Sequence, residues 1–468
     1  MVWANRFANA NVRAMSRPMT AGDEAHAGLL SRPVSRTPIE ALRQLFVAGE
    51  KAPKDWLIGA EIELIPLAGP ALETVGHELV GKIFETVAKQ LALELEREPT
   101  GVIIGAKGGG TLLSLEPGGQ MEIATRPYHR VSELRDGIFE LTAAMAQAGA
   151  AHGVRFAAMG HHPFADRDTV PKMPKARYEL MRAYLPTRGT RGLDMMHLTG
   201  SVQCAVDFSD EANLVEKMRV AARASPFLTA LVSSSPFLRG KPNGLKSMRY
   251  EIWRDVDNAR SGIWPEMVDA EGMTYARYVQ RALETPAMFF LRDGQYRMPE
   301  ARPFSWYARE GFEGTVVTVA DFVDHLTSLF PEIRVKSYIE LRGADCVPPA
   351  EAVAIAGFWR AILDDDDTRK HAAERLAGLD HAALMALQID VARRGLAAES
   401  AIGLVQEVAK DLAKMAVDRF RQRSPHCADC VSVLHDRAVR GASPADDMLA
   451  VYAKDGIAAA VATSFVPV

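Results

Sequence analysis

Cysteine is scarce: four in 468 residues. That is too few for a disulfide framework in a chain of this size, so a reducing cytoplasm is the expected compartment. Basic charge is not in excess either. The formal net charge is −4, without the basic footprint of a nucleic-acid binder, and nucleic acid is excluded as a partner on that ground. No uninterrupted apolar run approaches the ~20 residues of a membrane-spanning helix, so no membrane is expected. Internal repeats and low-complexity tracts are missing. What remains is an ordinary globular composition, 48% hydrophobic and 24% charged, long enough for two or three domains or for one large catalytic body with helical additions. Such a chain suits work on small molecules, as a monomer or homodimer.

Against this background, three short stretches stand out: Ile58 to Leu64, Ser114 to Ile123 and Tyr338 to Asp345. Each reads as a strand, and strand side chains alternate between faces. Glu61 and Glu63 therefore share one face while Ile62 and Leu64 take the other, and Gln120 and Glu122 oppose Met121 and Ile123. One such stretch is best explained as a half-exposed strand with an acidic outer face. Three of them, each with an apolar reverse, favour a cleft of carboxylates. Clustered carboxylates repel one another and tend to stay protonated unless a hard cation neutralises them. Mg2+ takes only one or two carboxylates per ion and completes its shell with water and phosphate oxygens. Acids on several strands thus point to Mg2+ ions carrying a nucleotide.

The rest of the chain supplies a frame. Residues 1–37 read as a flexible tail. Its first 22 residues carry Arg6, Arg13 and Arg17 and no acid, as organelle transit peptides do, although a disordered terminus or an early start codon explains this equally well and is the reading adopted. Thr37 is expected to cap a helix reaching Phe46, with Pro38 in its first turn. Further helices are expected over 74–92, 132–151 and 211–231, the last capped by Asp210. The cluster Gly105-Ala-Lys-Gly-Gly-Gly110 lacks the Gly-Lys-Ser/Thr ending of a phosphate loop and reads as a hairpin turn. Beyond Phe358 the spacing is helical, and the acidic run Asp364 to Asp367 reads as a solvated turn. Cys204 belongs to an apolar strand-like run, 202–208. Cys427 and Cys430 form a lone CxxC beside His426, without the second ligand pair of a zinc site or the βαβ surroundings of a redox motif, and are read as structurally neutral. His161 and His162 are adjacent, so in a strand they point apart.

Nine segments in register resemble the plant and proteobacterial type of glutamate–cysteine ligase: Ile58 to Glu63, Leu115 to Glu122, Met173 to Tyr178, Gly192 to Met196, Ser201 to Gln203, Ser235 to Phe237, Gly240 to Gly244, Ser247 to Arg249 and Leu341 to Asp345. The resemblance implies an α+β fold with a glutamine-synthetase-like, mostly antiparallel catalytic sheet flanked by helices. The resemblance runs from about Asp55 to about Asp367, and with the tail and the helical spacing beyond Phe358 the expected division is a tail, a catalytic domain over 38–357 and a helical part over 358–468. The resemblance also implies ATP, Mg2+ and amide formation between the γ-carboxylate of glutamate and the amine of cysteine, the first step of glutathione biosynthesis, or the same chemistry with a different amine or acid. The plant enzymes carry regulatory disulfides, and no cysteine here lies at matching places.

Carboxylates do not acylate amines unaided, because the oxygen is a poor leaving group. ATP converts the acid to an acyl phosphate, and the protein must then bring two anions together. The candidate Mg2+ ligands are Glu61, Glu63, Glu116 and Glu122. Gln120 is a candidate for a ligand oxygen. Arg249 matches the family position that holds the α-carboxylate of glutamate, a task suited to a planar guanidinium. Arg342 is a candidate for phosphate and transition-state charge, or else the partner of Glu340 or Asp345 in a buried ion pair. Lys241 is a candidate phosphate contact, and Arg177 and Tyr178 are candidates for lining the substrate cleft. The chain departs from the family pattern at Leu198, where the plant enzymes have Arg, and gains Arg126 after the Glu122 strand, a further candidate for substrate recognition.

Overall fold

The computed structural model describes residues 28–424 and 427–468. Arg6, Arg13 and Arg17 of the tail, and His426 beside the cysteine pair, lie outside the described residues.

The alternating segments assemble into one ten-stranded sheet. Its strands are β1 (Ile58–Ala68), β2 (Glu73–Thr74), β3 (Glu94–Arg97), β4 (Ile103–Gly108), β5 (Thr111–Leu115), β6 (Met121–Ala124), β7 (Val154–Ala157), β8 (Ser201–Val206), β9 (Ile333–Val335) and β10 (Ile339–Asp345). The order is β9-β10-β8-β1-β6-β5-β4-β3, with β2 and β7 paired to the far end of β1. Every pairing in it is antiparallel. β1 is the spine: β6 and β8 flank its first half. The glycine cluster forms the tight hairpin expected of it, with Gly109 and Gly110 both at positive φ between β4 and β5. That backbone is open to glycine at no steric cost.

One face of the sheet is apolar. Ile62, Leu64, Met121, Ile123, Val202, Cys204, Ile339 and Leu341 are all buried there in a single core. Among the helices that cover the core are α1 (Ile39–Val47), α2 (His77–Gln90), α3 (Val131–Ala150), α4 (Ala176–Tyr184), α5 (Glu211–Val232), α6 (Met248–Trp253), α7 (Tyr275–Glu284), α8 (Pro349–Asp364), α9 (His381–Arg394), α10 (Val405–Arg423) and α11 (Ala428–Arg440). Helices α3 and α8 pack on β1, and α5 packs on β10. The opposite, polar face is therefore the one left for chemistry.

Several local expectations need correction. Pro38, not Thr37, occupies the cap position of α1, and the Thr37 hydroxyl donates to Pro33 O at 2.8 Å. The tail packs before residue 38: Val34 is buried and its N–H donates to Val317 O at 3.0 Å. Helix α8 runs through the boundary expected at 358. Asp210 does cap α5, accepting from Asn213 N. The acidic run is only half solvated: Asp366 and Asp367 are exposed, whereas Asp364 meets Lys217 and Arg360, and Asp365 accepts from Thr368 N at the start of the next helix. All four cysteines are free. Among the described residues no helix is long and apolar enough to cross a membrane.

Candidate active site

Antiparallel register lines up the acids across strands. Glu63 of β1 stands directly opposite Glu122 of β6, which in turn stands opposite Ser114 of β5. On the other side Glu61 faces Gln203 of β8, and Glu340 of β10 faces Ala205. Residues paired in this way share a face. The polar face thus carries Ser114, Glu122, Glu63, Glu61, Gln203 and Glu340. Glu63 accepts from Ser201 Oγ at 2.9 Å and from Gln203 Nε2 at 3.2 Å.

The turn after β5 adds Glu116. Its N–H donates to Gln120 O at 2.9 Å and its carbonyl accepts from Gly119 N at 3.0 Å. Gly118 permits a close approach, because a Cβ there would lie 2.0 Å from His197 O. Tyr178 of α4 underpins this corner by donating its hydroxyl to Leu115 O at 2.6 Å. Burial pushes the Glu122 carboxyl up to about 7, and the charges of Glu61 and Glu63 push the same way against the Ser114 hydroxyl that donates to it. Burial, then the charge of Glu122, hold Glu116 well above the ordinary carboxylate range, opposed by Lys175. Glu63 is raised by burial, opposed by Arg249 and the Ser201 hydroxyl. Glu61 departs from this pattern: although burial opposes it, Lys336 and Arg334 help to lower it, so only Glu63, Glu116 and Glu122 are short of positive charge.

Beside the acids lies a basic corner. Glu340 accepts from Arg334 Nε at 2.5 Å, from Lys336 Nζ at 2.5 Å and from Arg342 Nη1 at 2.9 Å. Although burial opposes it, these three cations hold Glu340 well below the usual carboxylate range. Arg342 Nη1 also donates to Gln203 Oε1. The ion pair with Glu340 weighed for Arg342 is therefore present, whereas Asp345 has other partners: Ser234 N, Ser235 Oγ and Ser247 Oγ, at 2.9, 2.6 and 2.7 Å. Ser247 also accepts from Tyr250 N to cap α6, and Asp345 so anchors the helix that presents Arg249. Arg249 is buried and spans the irregularity in β10, its Nη1 and Nη2 donating to Gly343 O at 2.9 Å and Arg342 O at 2.7 Å. Arg334 and Lys336 escaped the sequence reading. Their signal was available in the alternation Arg334-x-Lys336 just before Tyr338-Ile-Glu340.

Other candidates fall elsewhere. Gln120 is committed to the fold: its Oε1 accepts from Gly118 N at 2.9 Å and its Nε2 donates to Thr199 O at 2.8 Å, so both ends of the amide are spent on the turn. Lys241 is exposed on a two-residue strand facing solvent. Arg126 is exposed at the end of the β5–β6 hairpin opposite Glu116, over the Tyr128 ring and against Gly110. Arg177 bonds Thr327 through its O and Oγ1, both at 3.2 Å, and lies over the Phe289 ring. His161 and His162 are buried, and burial pushes them down to about 4 and about 3.

Among the described residues no three His, Cys, Asp or Glu side chains gather as a ligand set around one point. The acids are instead distributed along the face in neighbouring pairs. That suits ions that take one or two carboxylates each and leave the remaining positions to water and phosphate. Next to the basic corner a cavity of about 700 Å3 opens, lined by Arg249, Trp253, Trp264, Arg281 and Arg342 among others. Its size is that of a small-molecule site.

The chain is similar to known proteins in sequence and in fold. The family model described as Glutamate-cysteine ligase family 2 (GCS2) matches residues 57–464. The chloroplastic glutamate–cysteine ligase of Brassica juncea is 33% identical over 433 residues, covering 91% of this chain and 82% of that protein. That of Arabidopsis thaliana is 32% identical over 433 residues, covering 91% and 81%. The solved glutamate–cysteine ligase from Francisella tularensis in complex with AMP shares the fold, with a TM-score of 0.54 at 14% identity over 89% of this chain and 88% of that one. The architecture is thus α+β, a fold that this solved ligase shares.

Proposed function

We infer the activity from one premise: this chain belongs to glutamate–cysteine ligase family 2. It joins the γ-carboxylate of glutamate to the amine of cysteine with ATP as the energy source, and so makes the dipeptide from which glutathione is built. A γ-carboxylate oxygen attacks the γ-phosphorus of ATP, the bond to the ADP oxygen breaks, and an acyl phosphate forms. The amine nitrogen then attacks the acyl carbon, phosphate departs with the bonding electrons, and the nitrogen loses a proton.

The observation that carries this reading is the division of one sheet face into an acidic row, with Glu63 opposite Glu122, and a basic corner of Arg334, Lys336 and Arg342 around Glu340. A triphosphate and a carboxylate repel each other, and such a face supplies screening for both. Glu61, Glu63, Glu116 and Glu122 would hold Mg2+, whose bound form stabilises charge on the phosphate oxygens. Arg342 neutralises transferring phosphate, and Arg249 orients the α-carboxylate of glutamate. Tyr178 and Gln120 act by holding the Glu116 turn in place. Four free thiols favour a reducing compartment such as the cytoplasm.

The test is direct: the purified chain is incubated with ATP, Mg2+, glutamate and cysteine, and γ-glutamylcysteine is followed by mass spectrometry alongside ADP. Equimolar dipeptide and ADP are expected. No dipeptide, or ADP release indifferent to glutamate, would overturn the reading.

A further inference from the structure

The cavity beside the basic corner contains the same construction twice. Arg249 and Arg342 both lie over the Trp253 ring, at 5.6 and 5.9 Å. Arg281 lies over the Trp264 ring at 5.4 Å. All five side chains line the cavity, and in all five the buried nitrogen nearest the stem or in the indole has no hydrogen-bond partner among the described residues: Nε of Arg249, Arg281 and Arg342, and Nε1 of Trp253 and Trp264. Trp264 is only 2% exposed. Buried donors are nearly always satisfied in native proteins, so a set of unpaired ones on side chains that line one cavity points to an acceptor that the protein itself does not supply.

At least one outer nitrogen of each arginine is already in use. Arg249 bonds the β10 backbone, Arg342 bonds Gln203 and Glu340, and Arg281 Nη2 donates to both oxygens of Glu266 at 2.7 Å. The unpaired Nε atoms belong to two stations, one with two guanidiniums over the Trp253 indole and one with a single guanidinium over Trp264. Carboxylate is the ligand chemistry that a guanidinium edge takes. A ligase joining two amino acids must hold two carboxylates apart from the reacting one. The Arg249–Trp253–Arg342 station reaches the acidic face through Gln203 and Glu340, which suits the substrate that ATP activates. The Arg281–Trp264 station shares its cavity with Ile263, Phe330 and Met385. Apolar and thioether walls of this kind suit a thiol-bearing side chain.

We propose that Arg281 and Trp264 form the acceptor subsite, which binds the α-carboxylate of cysteine. This rests on the ligase reading above. The experiment compares cysteine with cysteamine, which keeps the amine and thiol but lacks the carboxylate. In Arg281→Gln the KM for cysteine is expected to rise about ten-fold or more, as the loss of a charged hydrogen bond would produce, while the KM for cysteamine, glutamate and ATP stays unchanged. Glu266→Gln, which removes the partner of Arg281 but not its Nε, is expected to keep the preference for cysteine. An equal loss with cysteine and cysteamine, or an unchanged KM for cysteine, would overturn the proposal. Should Arg281→Gln fail to fold by circular dichroism, Ala386→Trp fills the cavity from an exposed helical position on its wall. An unchanged cysteine KM in that variant would also defeat the assignment. A wild-type protein that makes no γ-glutamylcysteine sinks the ligase reading itself, which separates the two failures.

Discussion

Glu63 and Glu122 are direct cross-strand partners on β1 and β6, two carboxylates facing each other on one side of a sheet. Like charges so opposed destabilise a sheet. The fold accepts that penalty on its polar face, where the acids are proposed to act.

Replacing one of the pair should separate stability from activity. Glu122→Gln keeps the shape and the Ser114 contact but removes the repulsion. Its thermal midpoint is expected to equal or exceed that of wild type, while ADP formation falls by roughly a hundred-fold or more if Glu122 serves Mg2+. Thermal unfolding and an ADP assay at saturating glutamate check both halves, and near-normal turnover would remove Glu122 from the site.

The same residue sets a pH dependence. Burial raises the Glu122 carboxyl to about 7 in the folded protein, above its ordinary value of 4.5. The folded state therefore binds more protons than the unfolded state between these values, and this group's contribution to stability falls as pH rises through that window. The decline with pH in ligand-free protein should be shallower in Glu122→Gln. If Glu122 serves Mg2+, the ion must displace that proton, so its stabilising effect should be larger at pH 8 than at pH 6. A midpoint shift by Mg2+ that is independent of pH would contradict this.

Arg249 has a structural task and a proposed binding task. Arg249→Ala loses two charge-assisted bonds to the β10 backbone, worth about 1.5–3 kcal/mol each, and should lower the thermal midpoint clearly. At temperatures where it is folded, the KM for glutamate should rise at least ten-fold while the KM for ATP changes little. Equal effects on both substrates would assign Arg249 to the scaffold alone.

Gly118 has no room for a methyl group, because a Cβ would sit 2.0 Å from His197 O, whereas nothing lies within 4 Å of the corresponding point at Gly76. Gly118→Ala is expected to cost about 1–3 kcal/mol or more and to displace Glu116, with activity lost in proportion. Gly76→Ala should be close to neutral in a denaturant titration. If the two variants behave alike, the tight turn is not what positions Glu116.

Lys241 and Arg126 provide the converse test. Both are exposed and stand away from the acidic row. Alanine at either position should leave kcat and each KM within about two-fold of wild type, since surface changes away from partners rarely matter. A large KM effect on any substrate would return that residue to the cleft.

What the sequence by itself determined was local. Two-residue alternation put Glu61 and Glu63 on one face and Ile62 and Leu64 on the other, paired glycines marked the β4–β5 turn, and Asp210 announced the start of α5. Each depends on dihedral preference or side-chain period over a few residues, and these are legible without a fold. The tertiary structure decided which strands are neighbours, and with them every contact of the site. Gln203 reaches Glu63 across 140 residues, and Arg342 reaches Gln203 across 139. It also spent Gln120 on the turn, stranded Arg126 at the wrong end of its hairpin, and gathered Arg334 and Lys336 around Glu340. Such outcomes follow from strand order and register, which are fixed by packing the apolar face against helices far away in the chain, and no window of the sequence contains them.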